Sequence, residues 1–377
     1  METRHRVVVG DARDLTRIDD DAVELVVTSP PYPMIEMWDD LFADLDPDVA
    51  DRLAAGDGRG AFDLMHEQLD AVWAEVERVL VDGGVACVNV GDATRTVDGS
   101  FRVYGNHARV ADAFEDLGFD PLPDLLWRKP TNSAAKFMGS GMLPPNAYVT
   151  LEHEYVLVFR NGPEPRSFPP GDERRYRSAY FWEERNRWFS DVWEDVGGEG
   201  QTLDAGTGGA VGSGDAGADG GSDAADGADD LRRRSAAYPF DIPYRLINMY
   251  SVQGDTVLDP FWGTGTTSVA AMAAARDSVG YELQPAFARV FADRLDDVPA
   301  LSRTVACRRL DDHRAFVARE DESFAYEAEH YDFPVRTKQE RAIRLYAVDR
   351  IERTGEDGDG QVYRAVHDPV DGDEPTA

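Results

Sequence analysis

Two short apolar strands in this chain each run straight into a turn that no β-ladder can continue. Glu24-Leu-Val-Val-Thr28 meets Ser29-Pro30-Pro31-Tyr32, where consecutive prolines fix φ and lack the N–H that pairing requires. Asp255-Thr-Val-Leu-Asp259 meets Pro260-Phe-Trp-Gly-Thr-Gly265 and then an alanine-rich helical stretch from Thr266 to Ala275. A strand that stops abruptly and hands over to a helix is the repeating unit of a parallel sheet. Other segments fit the same alternation. His5–Val9, Val85–Val90, Glu154–Phe159 and Ser278–Glu282 read as strands, and about 66–80, 107–117, 242–249 and 285–295 read as helices. Gly83-Gly84 is expected to end the first of these helices and Gly118 the second. The expected fold is a doubly wound, mostly parallel α/β sheet covered by helices on both faces.

Charge limits the setting in which such a fold works. Seventy-two acidic residues against 39 basic ones give −33, and lysine occurs only at 129, 136 and 338. With 42% hydrophobic residues the chain as a whole is not a disordered polyanion. The pattern is similar to cytoplasmic proteins of salt-loving archaea, since at about 1 M salt the Debye length falls to about 3 Å and self-repulsion is screened. Acidity therefore leaves a nucleic-acid partner open. No apolar run approaches the roughly 20 residues of a membrane span, and the start METRHRVVVGDARD lacks a signal-peptide layout, so cytoplasmic localisation is expected. Cys87 and Cys307, each preceded by alanine, form no disulfide framework or thiolate cluster and read as buried small hydrophobes. The seven histidines show no metal-ligand spacing and are expected as surface or capping groups, with no metal site.

The two turns carry complementary chemistry. In the first, proline carbonyls, the Ser29 hydroxyl and the Tyr32 ring suit a flat base bearing an exocyclic amine. That amine is a poor nucleophile because its lone pair is delocalised. Hydrogen bonds accepted by Ser29 and the Pro30 carbonyl would draw it toward tetrahedral geometry while Tyr32 stacks on the base and Pro31 stiffens the loop. A plain strand-ending turn is the competing reading. In the second, Gly263 and Gly265 permit close backbone approach, the helix start at Thr266 and Thr267 offers unpaired N–H groups, and Glu282 ends the next strand where it could hold ribose hydroxyls. The third glycine of a dinucleotide fingerprint falls on Ser268, and no lysine follows as in a phosphate-binding loop. A nucleoside site that holds no pyrophosphate remains, and S-adenosylmethionine fits it. A ligand-free βα turn and a nicotinamide-dependent oxidoreductase are the alternatives.

Taken together, Ser29-Pro30-Pro31-Tyr32 followed in the chain by Asp259 to Thr267 resembles the β-class DNA amino-methyltransferases. The resemblance extends to Gly10-Asp11, to His153-Glu154-Tyr155 and to Tyr238-Pro-Phe-Asp-Ile-Pro243, and it covers residues 5–160 and 236–295. It implies S-adenosylmethionine as cofactor, held by Asp11, Asp259, Phe261, Gly263, Gly265, Thr266, Thr267 and Glu282. It also implies catalysis by Ser29, Pro30, Pro31 and Tyr32 on a base flipped from duplex DNA. Serine at the first motif position is similar to the cytosine-N4 branch, whereas aspartate is usual for adenine-N6. Adenine-N6 methylation by the same fold, or a binding module without chemistry, stays open, as does a companion restriction endonuclease.

The expected organisation is a catalytic half over 1–160, a target-recognition region over 161–196, a flexible Gly/Ala/Asp-rich insert over 197–235, a cofactor half over 236–298 and an acidic C-terminal extension over 299–377. Within the third of these the insert carries no aromatic residue between 197 and 230, and the extension holds a possible hairpin around Asp357-Gly-Asp-Gly360. The last ten residues read as disordered. The stretch 164–193 is arginine-rich with interleaved aromatics, and Arg174, Arg175, Arg177, Arg185 and Arg187 are candidate DNA contacts. The competing reading is a small aromatic core whose arginines pair with neighbouring carboxylates. Arg232–Arg234 beside the insert are candidates to touch phosphate or else neutralise the acid run, and the loop bearing Asn132, Ser133 and Lys136 is a candidate border of the DNA cleft or else a plain loop.

Overall fold

A computed structural model describes residues 1–129, 138–197, 238–321, 323–357 and 360–371. Its centre is an eleven-stranded sheet. In chain order the strands are β1 (Glu2–Val9), β2 (Val23–Thr28), β3 (Leu80–Val90), β4 (Phe119–Pro121), β5 (Leu125–Arg128), β6 (His153–Asn161), β7 (Val192–Trp193), β8 (Thr256–Asp259), β9 (Asp277–Glu282), β10 (Tyr346–Asp357) and β11 (Gly360–Pro369). They lie side by side as β7-β5-β6-β3-β2-β8-β9-β1-β11-β10, with β4 beside β6. The five central strands β3, β2, β8, β9 and β1 are mutually parallel, while β6, β11 and β10 run antiparallel to their neighbours.

The helices around the sheet include α1 (Gly58–Val79), α2 (Asn106–Asp116), α3 (Trp182–Trp188), α4 (Asp241–Tyr250), α5 (Thr266–Ala273), α6 (Pro285–Arg294) and α7 (Val298–Arg319), with α3 held to α7 through Glu184 and Arg309. The period-2 alternation of β2 shows why both faces need cover. Val26 packs with Leu69, Val72 and Trp73 of α1 and Phe114 of α2, whereas Leu25 and Val27 pack with Ile242 and Leu246 of α4 and Ala270 of α5. Full burial of each such side chain contributes about 1.5–3 kcal/mol. Among the described residues no helix is long and apolar enough to cross a membrane.

The chain leaves β2 through α1 toward β3 and leaves β8 through α5 toward β9, in opposite directions across the sheet. Because β2 and β8 are neighbours, their carboxyl ends diverge and open a crevice, the place where open α/β sheets hold ligands.

Several local expectations change. Helix α1 begins at Gly58 rather than near 66, with the Asp57 side chain accepting from the Gly60 N–H at 2.9 Å as its cap. Gly83 and Gly84 lie inside β3, where the pairing register with β2 jumps between Leu80 and Val85, so they form an irregularity within a strand instead of a helix stop. The hairpin at 357–360 is present as β10 and β11, and β11 pairs with β1, so the C-terminal stretch extends the main sheet. Asp368 and Pro369 still belong to β11. His5, His66, His313 and His367 are buried, so four of the seven histidines are core groups rather than surface or capping ones; His5, for example, bonds Thr3 and Ser278. Both cysteines are buried. The acidic insert, Arg232–Arg234, and Asn132, Ser133 and Lys136 fall outside the described residues.

Candidate active site

The two turns meet through one hydrogen bond. Thr28, the last residue of β2, donates from Oγ1 to Asp259 Oδ1 at 2.6 Å across 231 positions of sequence. Asp259, only 4% exposed at the end of β8, also accepts from the Phe261 N–H at 3.1 Å and from the Thr267 hydroxyl, which contacts the Tyr238 hydroxyl. Among the described residues, hydroxyls and an amide satisfy this carboxylate without a cation. Burial dominates and pushes its pKa up to about 6.

Glu282 closes β9 beside it. Its carboxylate accepts from the Gly263 and Gln284 N–H groups, each at 2.9 Å. Burial, reinforced by Asp259, raises it to about 7. A carboxylate that stays proton-hungry near neutrality is poised to accept hydrogen bonds from a ligand's hydroxyls.

Around these groups lies a cavity of about 380 Å³, lined by Asp11, Ser29, Pro30, Pro31, Tyr32, Asp259, Phe261, Gly263, Thr266, Thr267 and Glu282. Eleven of the twelve residues expected at the catalytic and cofactor positions thus face one space. Gly265 is the exception. It sits at φ +79° at the start of α5, and a Cβ there would come 2.5 Å from the Phe291 ring and 2.7 Å from Trp262, so its role is to let the turn close on the core. Asp11 lines the cavity but is already held by the Arg13 guanidinium, at 2.6 Å from Nη2, and Arg13 also reaches Gln68 at 2.6 Å.

Sequence reasoning missed several walls of this space. Trp38, Leu41, Phe42 and Leu45 from the segment after the proline turn close one side, and Trp262, Tyr281 and Phe287 line another. The Tyr281 hydroxyl is buried with no partner among the described residues. At the floor, the Tyr32 hydroxyl meets Ser29 Oγ at 3.0 Å, Asn89 Nδ2 at 2.8 Å and Glu154 Oε2 at 3.0 Å. Nothing in sequence spacing links Asn89 of β3 to Glu154 of β6; only the antiparallel pairing of those strands does.

The five candidate DNA arginines lie elsewhere. Their segment is tied to the amino-terminal ends of the parallel strands: Arg166 holds Asp255 ahead of β8, and the Ser178 hydroxyl accepts from the Gln253 N–H at 2.8 Å. Phe181, Trp188 and Trp193 are buried, Arg187 lies within ion-pair distance of Asp195 and Asp312, and Arg177 within that of Glu173. Arg175 and Arg185 line a second cavity at that end, with Phe168 and Tyr180. None of the five lines the cavity at the proline turn. This places the segment at the other end of the sheet from the proline turn.

Comparison with known proteins agrees with this geometry. The N6/N4 methyltransferase model, described as DNA methylase, matches residues 23–293. The Type II methyltransferase M.MthZI of Methanothermobacter thermautotrophicus is 48% identical over 92% of this chain and 91% of its own length. M.MjaI of Methanocaldococcus jannaschii, also a Type II methyltransferase, is 46% identical over 78% of this chain and 92% of its own. Among solved structures, a putative DNA modification methylase from Thermus thermophilus, complexed with S-adenosyl-L-methionine, superposes with a TM-score of 0.57 at 30% identity, covering 78% of this chain and 95% of that one. The chain belongs to the N6/N4 family of DNA methylases.

Proposed function

We propose that this chain transfers the methyl group of S-adenosylmethionine to the exocyclic N4 amine of cytosine at a short specific site in duplex DNA, with the base turned out of the helix. The observation that carries the reading is the Thr28–Asp259 bond, which makes the proline turn and the glycine turn walls of one cavity. The donor set suits the cofactor: Glu282 offers carboxylate oxygens for ribose hydroxyls, the first turn of α5 offers unpaired N–H groups, and Phe261, Trp262 and Phe287 offer apolar walls. The methionine-derived sulfonium of the bound cofactor supplies an activated methyl group. Ser29 and the Pro30 carbonyl accept hydrogen bonds from the amine, Tyr32 presents its ring to the base, and catalysis is positioning and polarisation without a covalent enzyme intermediate. Asp11 and Asp259 shape the cofactor end.

Serine at the first motif position supports cytosine-N4 over adenine-N6. Type II methyltransferase relatives support a role in protecting DNA from a companion restriction endonuclease in the cytoplasm. The test is transfer of tritiated methyl groups from S-adenosylmethionine to unmethylated duplex DNA, followed by digestion to nucleosides. Label on N4-methylcytosine is the expected result. Label on 6-methyladenine moves the assignment to the other branch of the family, and label on RNA alone overturns DNA as substrate.

A further inference from the structure

The four-group contact at the cavity floor fixes more than position. We infer that Asn89 and Glu154 are positioning residues which, through Tyr32, hold the Ser29 proton away from the cavity, so that the serine oxygen meets the substrate as an acceptor only. This rests on the proposed methyl transfer and names what the site selects: a base bearing an amine, against one bearing a carbonyl at the same place.

Protons and lone pairs at this contact can be counted. A carboxylate only accepts, a phenol has one proton and two lone pairs, and a primary amide has two N–H donors. Glu154 Oε1 pairs with the Lys129 ammonium, and its Oε2 faces Asn89 Nδ2 at 2.7 Å and the Tyr32 hydroxyl at 3.0 Å. The Asn89 amide cannot be turned, because its oxygen would then face a carboxylate oxygen at that separation. Asn89 therefore donates one N–H to Glu154 and the other to Tyr32, 2.8 Å away. Tyr32 spends its own proton on the charged Glu154 oxygen at 3.0 Å, the Asn89 backbone carbonyl at 3.4 Å being the more distant and uncharged acceptor; on either, the proton points away from Ser29. Burial, followed by the Glu154 charge, holds the Tyr32 pKa well above 10, so that proton stays. One lone pair of Tyr32 is left, and Ser29 Oγ lies 3.0 Å from it. The contact closes only if Ser29 donates. Its two lone pairs then remain for the cavity that Ser29 lines. An exocyclic N–H finds an acceptor there, whereas the carbonyl of uracil or thymine would meet lone pairs, with the desolvation penalty of an unpaired acceptor.

Glu154→Gln probes the polarity with almost no change of shape. Lys129 requires the amide oxygen on its side, which turns the new NH₂ toward Tyr32 and frees the tyrosine proton to point at Ser29. Tyr32→Phe removes the relay outright. Single-turnover methyl transfer to unmethylated duplex DNA and S-adenosylmethionine affinity would be measured for both variants, alone and combined with Ser29→Ala. Each single variant is expected to slow transfer about tenfold while cofactor affinity stays within about twofold, and neither is expected to slow a Ser29→Ala enzyme further. A role in packing alone would cost the same with or without the serine hydroxyl, and that result overturns the relay. A wild type that transfers well and is indifferent to both changes overturns the relay and leaves methyl transfer standing; a wild type that labels no DNA overturns both.

Discussion

Strand β8 carries an aspartate at its carboxyl end and is preceded by one at its amino end, and the two are treated in opposite ways. Asp255, 2% exposed, is gripped by the Arg166 guanidinium at 2.7 and 3.0 Å and accepts from the Val252 N–H at 2.8 Å. Asp259, four residues on and also buried, has hydroxyls and one amide but no cation among the described residues. Ahead of β8 the buried charge is thus neutralised by a cation. The carboxyl end keeps two acids, Asp259 and Glu282, pushed up by burial to about 6 and about 7. Leaving a buried carboxylate without a counter-charge costs stability, and here that cost falls where the ligand cavity opens.

The comparison can be broken in order of expected effect. Asp255→Ala leaves the Arg166 guanidinium without its partner and is expected to lower stability by about 3 kcal/mol, read by urea denaturation, with transfer per folded molecule unchanged. Ser29→Ala at the other end is expected to do the reverse: transition-state polarisation falls and the transfer rate drops about 100-fold, while the denaturation midpoint does not move. A third test uses pH. Both acids are raised, so between about 4 and about 7 the folded protein without cofactor holds more protons than the unfolded chain, and their contribution to stability falls as pH rises through that window. Ionised Glu282 is the better acceptor for ribose hydroxyls, so S-adenosylmethionine affinity should tighten about tenfold from pH 6 to pH 8, as followed by calorimetry, and Glu282→Gln should flatten the profile. The smallest effect is expected at the arginine island. Arg175→Ala combined with Arg185→Ala should change DNA affinity by less than about twofold, because both side chains lie at the amino end of the sheet; a larger loss in a gel-shift titration would restore that end to the DNA interface.

The parts of this molecule that are legible in sequence are those where local chemistry forces the outcome. Prolines at 30 and 31 end β2, and Gly263 to Thr267 turn β8 into α5, because no other backbone path suits those residues. What escapes has physical reasons. Helix α1 starts earlier than its apolar spacing indicates because Gly58 and Gly60 hide its first turn, although Asp57 is a visible cap. The hairpin of β10 and β11 is legible from its turn, but the pairing of β11 with β1, which joins it to the main sheet, is not, because local pattern does not report a partner strand so distant in sequence. The place of the arginine island is not legible either, because composition does not report which end of the sheet a segment occupies. Asn89 is inconspicuous in sequence, and Glu154, though part of the His153-Glu154-Tyr155 stretch, gains a partner only when β3 and β6 pair.

Whether one cavity joins the two turns can be seen in a crystal structure of the protein with S-adenosylhomocysteine. The account predicts ribose hydroxyls on the Glu282 carboxylate and the sulfur facing the open side of Ser29 and Pro30. Ligand density away from Glu282, or sulfur turned from the proline loop, would contradict it.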